Sequence, residues 1–284
     1  EICACLVGSE MCIRDRNCTT IYLREGEYIL DTPLVLTSAD GNDSKELIIR
    51  NYPGEKAIIS SGITLDLKWE KYKNGIMRAA VKGNPVMDML IVNGDLRSMA
   101  RYPDYDKTAV RFNGTSALAT APERVKKWKN PEGGYFHAMH SHDWGDFHYR
   151  ITGKNEKGEL QLEGGWQNNR PMGIHPENRM VENIFEELDA PGEWYYDKQE
   201  GWLYYYPLSD ENINELVFET PQLKNLIEIA GTSSHPVKNI TIEGIELTQT
   251  IRTFMEHYEP LLRSDWTIYR LSLIHISEPT RHAQ

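Results

Sequence analysis

The chain has 284 residues, with 42 acidic against 31 basic side chains and a net charge of −11 at pH 7. A deficit of cations on this scale excludes an affinity built on neutralising nucleic-acid phosphates, and no apolar run of about eighteen residues encodes a membrane span. Fifteen Tyr and seven Trp beside a modest aliphatic content, without heptads, predict an all-β protein of many short strands.

The chain opens with Cys3, Cys5, Cys12 and Cys18, which lack the C-x-x-C spacing and the nearby His of a zinc knuckle. No metal or other cofactor is expected. The segments Glu1–Arg16 (EICACLVGSEMCIRDR) and Leu271–Gln284 (LSLIHISEPTRHAQ) resemble translated sequencing-adapter sequence of the kind found in metagenomic assemblies. Residues 1–16 and 271–284 are therefore expected to be non-native tails around a fragment, and the absence of a secretory leader carries no information.

From Thr19 to Leu36 apolar residues alternate at Ile21 and Leu23, then at Tyr28 and Leu30, then at Leu34 and Leu36, with Gly26 at a corner. Asp40–Ser44 is a turn cluster, and short strands are predicted at Glu46–Arg50 and Ala57–Ser60 around the corner Tyr52-Pro53-Gly54-Glu55. Abrupt corners without helix-length intervals do not suit a βαβ sheet. They suit a coil of parallel strands in which each turn stacks on the last.

Between Leu67 and Thr220 the strands become polar, aromatic and uneven. Asn93-Gly94 predicts a tight hairpin, Pro122–Trp128 a short helix, and Val181–Leu188 part of a strand. The aromatic runs Trp194–Tyr196 and Trp202–Tyr206 flank a hairpin loop and are expected to pack across paired strands. After Pro221 the first pattern returns. Along Val237–Leu247, Ile240, Ile242, Ile245 and Leu247 are expected to point inward while Lys238, Thr241, Glu243 and Glu246 face water. First rungs over 17–66, a β-rich insertion over 67–221 and resumed rungs over 222–270 are thus expected.

The segments Ile21–Tyr28, Tyr52–Glu55 and Asn239–Leu247 resemble right-handed parallel β-helix proteins of the pectate-lyase-like superfamily. With the motifs His137-Ala138-Met139-His140, Gly164–Arg170, Leu188–Tyr195 and Glu259–Trp266, the order of elements over nearly all of residues 17–270 resembles glycoside hydrolase family 141, which includes α-L-fucosidases and xylanases. The resemblance implies a parallel β-helix interrupted by a β-rich inserted domain. It further implies an extracellular or periplasmic enzyme that hydrolyses plant-type polysaccharide. It places the catalytic carboxylates on later rungs, and this chain offers no matching position for them, so the catalytic residues are unknown and the fragment is expected to be inactive alone.

The residues best suited to a sugar lie in Tyr135–Arg170, which holds four of the nine His and two of the seven Trp. Read as one strand, His140, His142, Trp144 and His148 share a face and His137 takes the other. His140, His142 and Trp144 are candidate sugar contacts, against the plainer reading of a packed polar interface. Trp166, Asn168, Asn169 and Arg170 combine an indole for a pyranose C–H face with donors and acceptors for its hydroxyls, although such a run also serves to satisfy loop backbone. Asp265 and Trp266 are candidates on a later rung. Glycoside hydrolysis needs two carboxylates, and Asp143, Asp146, Asp189, Glu193 and Asp265 are members of a pool too large to single out a pair. A polysaccharide lyase, or a non-catalytic carbohydrate-binding or surface protein, are the alternatives. A polysaccharide or oligosaccharide is the partner each implies, and oligomeric state is not legible.

Overall fold

The computed structural model describes residues 10–14, 18–167, 173–256, 259–260, 267–268 and 273–277. They are almost wholly β, with short strands, a four-residue α-helix at Pro122–Val125 and brief 3-10 turns. The chain divides into two compact units. The first comprises Glu1–Ile63, Thr220–Ile251 and Arg270–Gln284, and the second Thr64–Glu219 and Arg252–Tyr269.

The first unit is built from short parallel ladders. Cys18–Leu23, Glu46–Asn51 and Ile240–Glu243 pair in one, Gly26–Ile29, Ala57–Ser60 and Ile245–Thr248 in a second, and Leu34–Thr37, Ile227–Ala230 and Ile274–Ser277 in a third. Glu10–Arg14 adds an antiparallel strand beside Cys18–Leu23. The registers place like side chains at one level: Ile21 beside Ile49 and Ile242, and Tyr28 beside Ile59 and Leu247. These levels build a core of Ile21, Leu23, Leu36, Leu47, Ile49, Ile59 and Leu226, each contributing about 1.5–3 kcal/mol on burial. The alternation read from Val237–Leu247 is present: Ile240, Ile242, Ile245 and Leu247 pack against this core, while Lys238, Thr241, Glu243 and Glu246 are exposed.

The corner at Gly244 joins the first ladder to the second. Its φ of 68° lies in the left-handed region, and a Cβ there would collide with the Asn51 side chain, which donates to Glu55 O at 2.7 Å. Gly244→Ala is expected to cost about 1–3 kcal/mol, read as a lower urea midpoint. An unchanged midpoint would show that the corner tolerates a side chain.

The second unit is antiparallel. Its five-stranded sheet runs in the order Arg101–Tyr102, Ile174–Glu182, Tyr135–His140, Asp146–Lys154, Leu160–Gly164. A four-stranded sheet joins Trp194–Asp197, Trp202–Tyr205, Met77–Ala80 and Glu70–Lys71, and Trp194 packs opposite Tyr205 as the aromatic runs imply. The Asn93-Gly94 hairpin forms between Leu90–Val92 and Asp95–Arg97, with φ of 51° and 85° at the two turn residues, as a two-residue turn with both residues left-handed requires.

Two local expectations are corrected. The helix after Pro122 stops at Val125, short of Trp128, which is fully buried and donates its indole N–H to Glu187 Oε1 at 2.6 Å. The strand entering Val181 ends at Glu182, where Asn183 takes a φ of 58° and Phe185–Glu187 forms a 3-10 turn. That turn carries Glu187 to both Trp128 and the Arg124 guanidinium at 2.5 Å.

Candidate functional site

The histidine-rich segment does not form one strand. Tyr135–His140 ends at a turn, Asp143 has a φ of 57°, and the chain returns antiparallel as Asp146–Lys154. His148 therefore comes back opposite His137, and their Nδ1 atoms lie 2.7 Å apart. One ring donates to the other, in place of the opposite faces a single strand would give. Burial pushes His137 below the usual imidazole range, and the neighbouring Glu182 carboxylate counters only part of this.

His140 is buried, its Nδ1 accepts the His142 N–H at 3.0 Å, and its ring stacks on Trp144 with centroids 5.8 Å apart. Trp144 is 53% exposed at the hairpin tip, beside exposed His142. His140, His142 and Trp144 are thus brought together. Trp166 is tied elsewhere: its Nε1 donates to Glu256 O at 2.9 Å, and the adjacent Gln167 donates to Phe254 O at 3.0 Å. Asn168, Asn169, Arg170, Asp265 and Trp266 lie outside the described residues.

A cleft of about 490 Å³ opens in the second unit, among residues distant from one another in sequence. One wall is the segment after the Asn93-Gly94 hairpin, the other the turn Ala190-Pro191-Gly192-Glu193. The two are fastened by backbone bonds, Ala100 N–H to Trp194 O at 2.7 Å and Trp194 N–H to Ser98 O at 3.1 Å, and by the buried Trp194 indole donating to Arg97 O at 3.1 Å. The turn has the Pro-Gly signature of type II, and Gly192 supplies the positive φ of 89° that its position demands.

At one side of the cleft Arg252 holds two carboxylates. Its Nη1 donates to Glu182 Oε1 at 2.5 Å, its Nη2 to Asp88 Oδ1 at 3.1 Å and its backbone N–H to Asp88 Oδ2 at 2.7 Å. Burial alone would raise the Glu182 pKa, but Arg252, with His137 Nε2 at 3.3 Å, holds it far below the usual carboxylate range. From Asp88 a continuous set of polar contacts thus runs through Arg252, Glu182, His137 and His148 to Asp146 Oδ2, 3.4 Å from His148 Nε2.

Glu193 has the opposite character. It is 2% exposed, its Oε2 accepts only the Asp189 and Ala190 N–H groups at 3.3 Å each, and its Oε1 has no hydrogen-bond partner among the described residues. Burial pushes its carboxyl up to about 8, with Asp104 and Asp189 adding negative potential and the two long backbone bonds pulling the other way. A buried acid whose pKa is raised, with further carboxyl groups beside it, is the kind of environment from which acid–base roles are built. Arg101 is buried and spends its donors on the carbonyls of Pro103, Phe112 and Gly114 at 2.7, 2.8 and 3.1 Å, and exposed Tyr105 stands at the rim.

In the sequence Glu193 is one carboxylate in a large pool, and nothing local marks Asp88, Arg97, Arg101, Glu182 or Arg252 as members of a cleft. The Leu188–Tyr195 motif was the available signal, because a Pro-Gly turn followed by Glu-Trp fixes an acid at a turn end next to a buried ring.

The class the fold defines is a nearly all-β protein with short parallel ladders in one unit and antiparallel sheets in the other. Among solved structures, one described as "Glycoside hydrolase" matches with a TM-score of 0.64 and 24% identity, over 83% of this chain and 44% of that one. Another, "The complex structure of XylC with xylose", matches with a TM-score of 0.33 and 12% identity over 81% and 30% of the two chains. No family model matches the chain, and no curated protein does. The chain spans less than half the length of the glycoside hydrolase whose fold it shares.

Proposed function

We propose that the chain is part of a carbohydrate-active enzyme that hydrolyses glycosidic bonds in plant-type polysaccharide, of the kind gathered in glycoside hydrolase family 141. The observation that carries this reading is the likeness of its fold, over 83% of its length, to a protein described as a glycoside hydrolase. On this reading the short parallel ladders are rungs of a right-handed parallel β-helix, the second unit is an insertion into it, and the enzyme works outside the cytoplasm. The catalytic carboxylates belong to rungs beyond those described, and the cleft of the second unit holds part of the sugar chain. Cleft volume favours this, since ligand sites commonly run to about 300–1,000 Å³, and exposed Tyr105 offers a ring face to pyranose C–H groups.

The Trp144 tip, with His140 and His142, is a second sugar contact in this proposal, and Asn168, Asn169, Arg170, Asp265 and Trp266 keep the binding roles their chemistry suits. Trp166 belongs to the scaffold as well as to that set, because its indole N–H is committed to Glu256. Trp144→Ala is expected to weaken oligosaccharide binding about three- to tenfold in calorimetry, the loss of one exposed stacking contact of about 0.5–1.5 kcal/mol. It should leave the urea midpoint within about 0.5 kcal/mol of wild type. The broader test is titration of the purified chain with neutral and acidic oligosaccharides: saturable binding supports the reading, and no binding to any of them overturns it.

A further inference from the structure

We infer that Glu193, in its protonated form, is the specificity-determining donor of the second-unit cleft, and that this cleft takes a neutral polyhydroxylated ligand rather than an anionic one. The inference deepens the carbohydrate reading and rests on it. Two residues lining the cleft carry buried polar atoms with no hydrogen-bond partner among the described residues, Glu193 Oε1 and Arg97 Nε. An unsatisfied buried group costs about 1–3 kcal/mol, so two on one cleft are a standing deficit that a ligand can relieve.

The chemistry of the relief is set by what each group lacks. Glu193 Oε2 already accepts from Asp189 and Ala190, which leaves Oε1 as the oxygen to carry the proton, in need of an acceptor. Arg97 Nε–H needs an acceptor too, while its Nη2 is bound to Glu211 at 2.8 Å. The terminal torsion of a glutamate is broad, so the acid hydroxyl can turn to meet an incoming oxygen. A sugar hydroxyl oxygen is an acceptor of the kind each of these donors lacks. A carboxylate ligand has no comparable claim, because the cations of the cleft are already committed: Arg97 to Glu211, Arg101 to three carbonyls, Arg252 to Asp88 and Glu182. The groups facing Glu193 are Asp189 on its own turn, Asp104 on the loop opposite, and Arg101 on the adjoining strand. An anionic ligand would add to the negative side of that balance. An ionised Glu193 would lose its donor and stand unpaired in the same field.

Calorimetric titration with xylotetraose as the neutral probe and trigalacturonate as the anionic one, at pH 6 and 9.5, tests this. Wild type should bind xylotetraose at pH 6 and lose affinity by about 30-fold at pH 9.5, where an acid titrating at about 8 is ionised. Trigalacturonate should bind at least tenfold more weakly at pH 6. Glu193→Gln keeps a neutral donor at every pH, so its affinity should no longer fall between the two values, whereas Glu193→Ala should be weak at both. A protonated-carboxyl infrared band at pH 6, missing from Glu193→Gln, provides a readout that needs no ligand. Xylotetraose binding that ignores both pH and Glu193→Ala overturns the assignment while leaving the carbohydrate reading intact, as does the absence of the infrared band. Preference for trigalacturonate overturns the ligand class. Failure of every sugar to bind, with the band present, overturns the carbohydrate reading and the ligand class with it.

Discussion

Arg252→Leu is expected to destabilise the chain by about 3–5 kcal/mol at pH 7, the range for removing one partner from a buried ionic group. Arg252 is the cation between Asp88 and Glu182, whose side chains are only 17% and 13% exposed. Leucine keeps much of the side-chain volume but leaves two carboxylates facing a low-dielectric wall with no guanidinium between them. The Arg252 backbone N–H would still reach Asp88, so Glu182 is the more exposed to the loss. Burial itself works against the Arg252 charge, and Glu182 and Asp88 more than offset it, so the guanidinium is held above its ordinary range. The sign in pH follows from Glu182. Its folded pKa is depressed below the ordinary 4.5, so its pairing stabilises above that pH and is lost as pH falls through the folded value. The deficit of Arg252→Leu should accordingly be full at pH 7 and shrink below about pH 4.5, where protons do part of the work of the missing cation. Urea unfolding at pH 7 and pH 4 measures both. Adding Glu182→Gln should recover part of the loss, giving a coupling energy of at least about 1 kcal/mol in a double-mutant cycle. A single-mutant deficit under about 1 kcal/mol at pH 7, or strict additivity, would mean that the contact is a solvated surface pair.

The sequence made the local geometry of the strands legible and hid the cleft. Alternation over Ile240–Leu247 and the Asn93-Gly94 turn were readable because each depends on neighbours within a few residues: a pleat of period two, and a pair of residues that tolerate positive φ. Parity carried through Ser141–Gly145 puts His137 and His148 on opposite faces, but the chain reverses there. Once reversed, register rather than parity decides which rings meet. The cleft was beyond local reading for a different reason. Asp88, Glu182 and Arg252 meet across as many as 164 positions of sequence, and no spacing rule spans that interval. Glu193 is visible as an acid, but its distinction lies in what surrounds it, a buried oxygen without a partner among the described residues and two further carboxylates nearby, and burial of a particular oxygen is a property of the folded chain alone.

Glu193→Gln is expected to stabilise the chain at alkaline pH and to change it little in acid, a dependence opposite to that of Glu182. The folded carboxyl titrates at about 8 against an ordinary 4.5, so between those values the folded state binds the extra proton and stability falls as pH rises. The penalty is absent below about pH 4.5, grows through neutrality and is complete above about pH 8. Its ceiling is the full shift, on the order of 5 kcal/mol at 1.36 kcal/mol per pKa unit, and relaxation or water entry on ionisation will reduce what is measured. Glutamine is close in shape, keeps the Oε2-like acceptor for the Asp189 and Ala190 N–H groups, and carries no charge to bury. Taking the difference between wild type and variant at each pH cancels the titration of His137 and Glu182, which both proteins share. Urea midpoints at pH 4.5, 7 and 9 should therefore diverge steadily, with the variant ahead by several kcal/mol at pH 9. Parallel profiles would show that Glu193 is ionised throughout and that its environment stabilises the charge. The pH at which the divergence levels off marks the folded titration of Glu193, and with it the pH at which the cleft ceases to offer a donor.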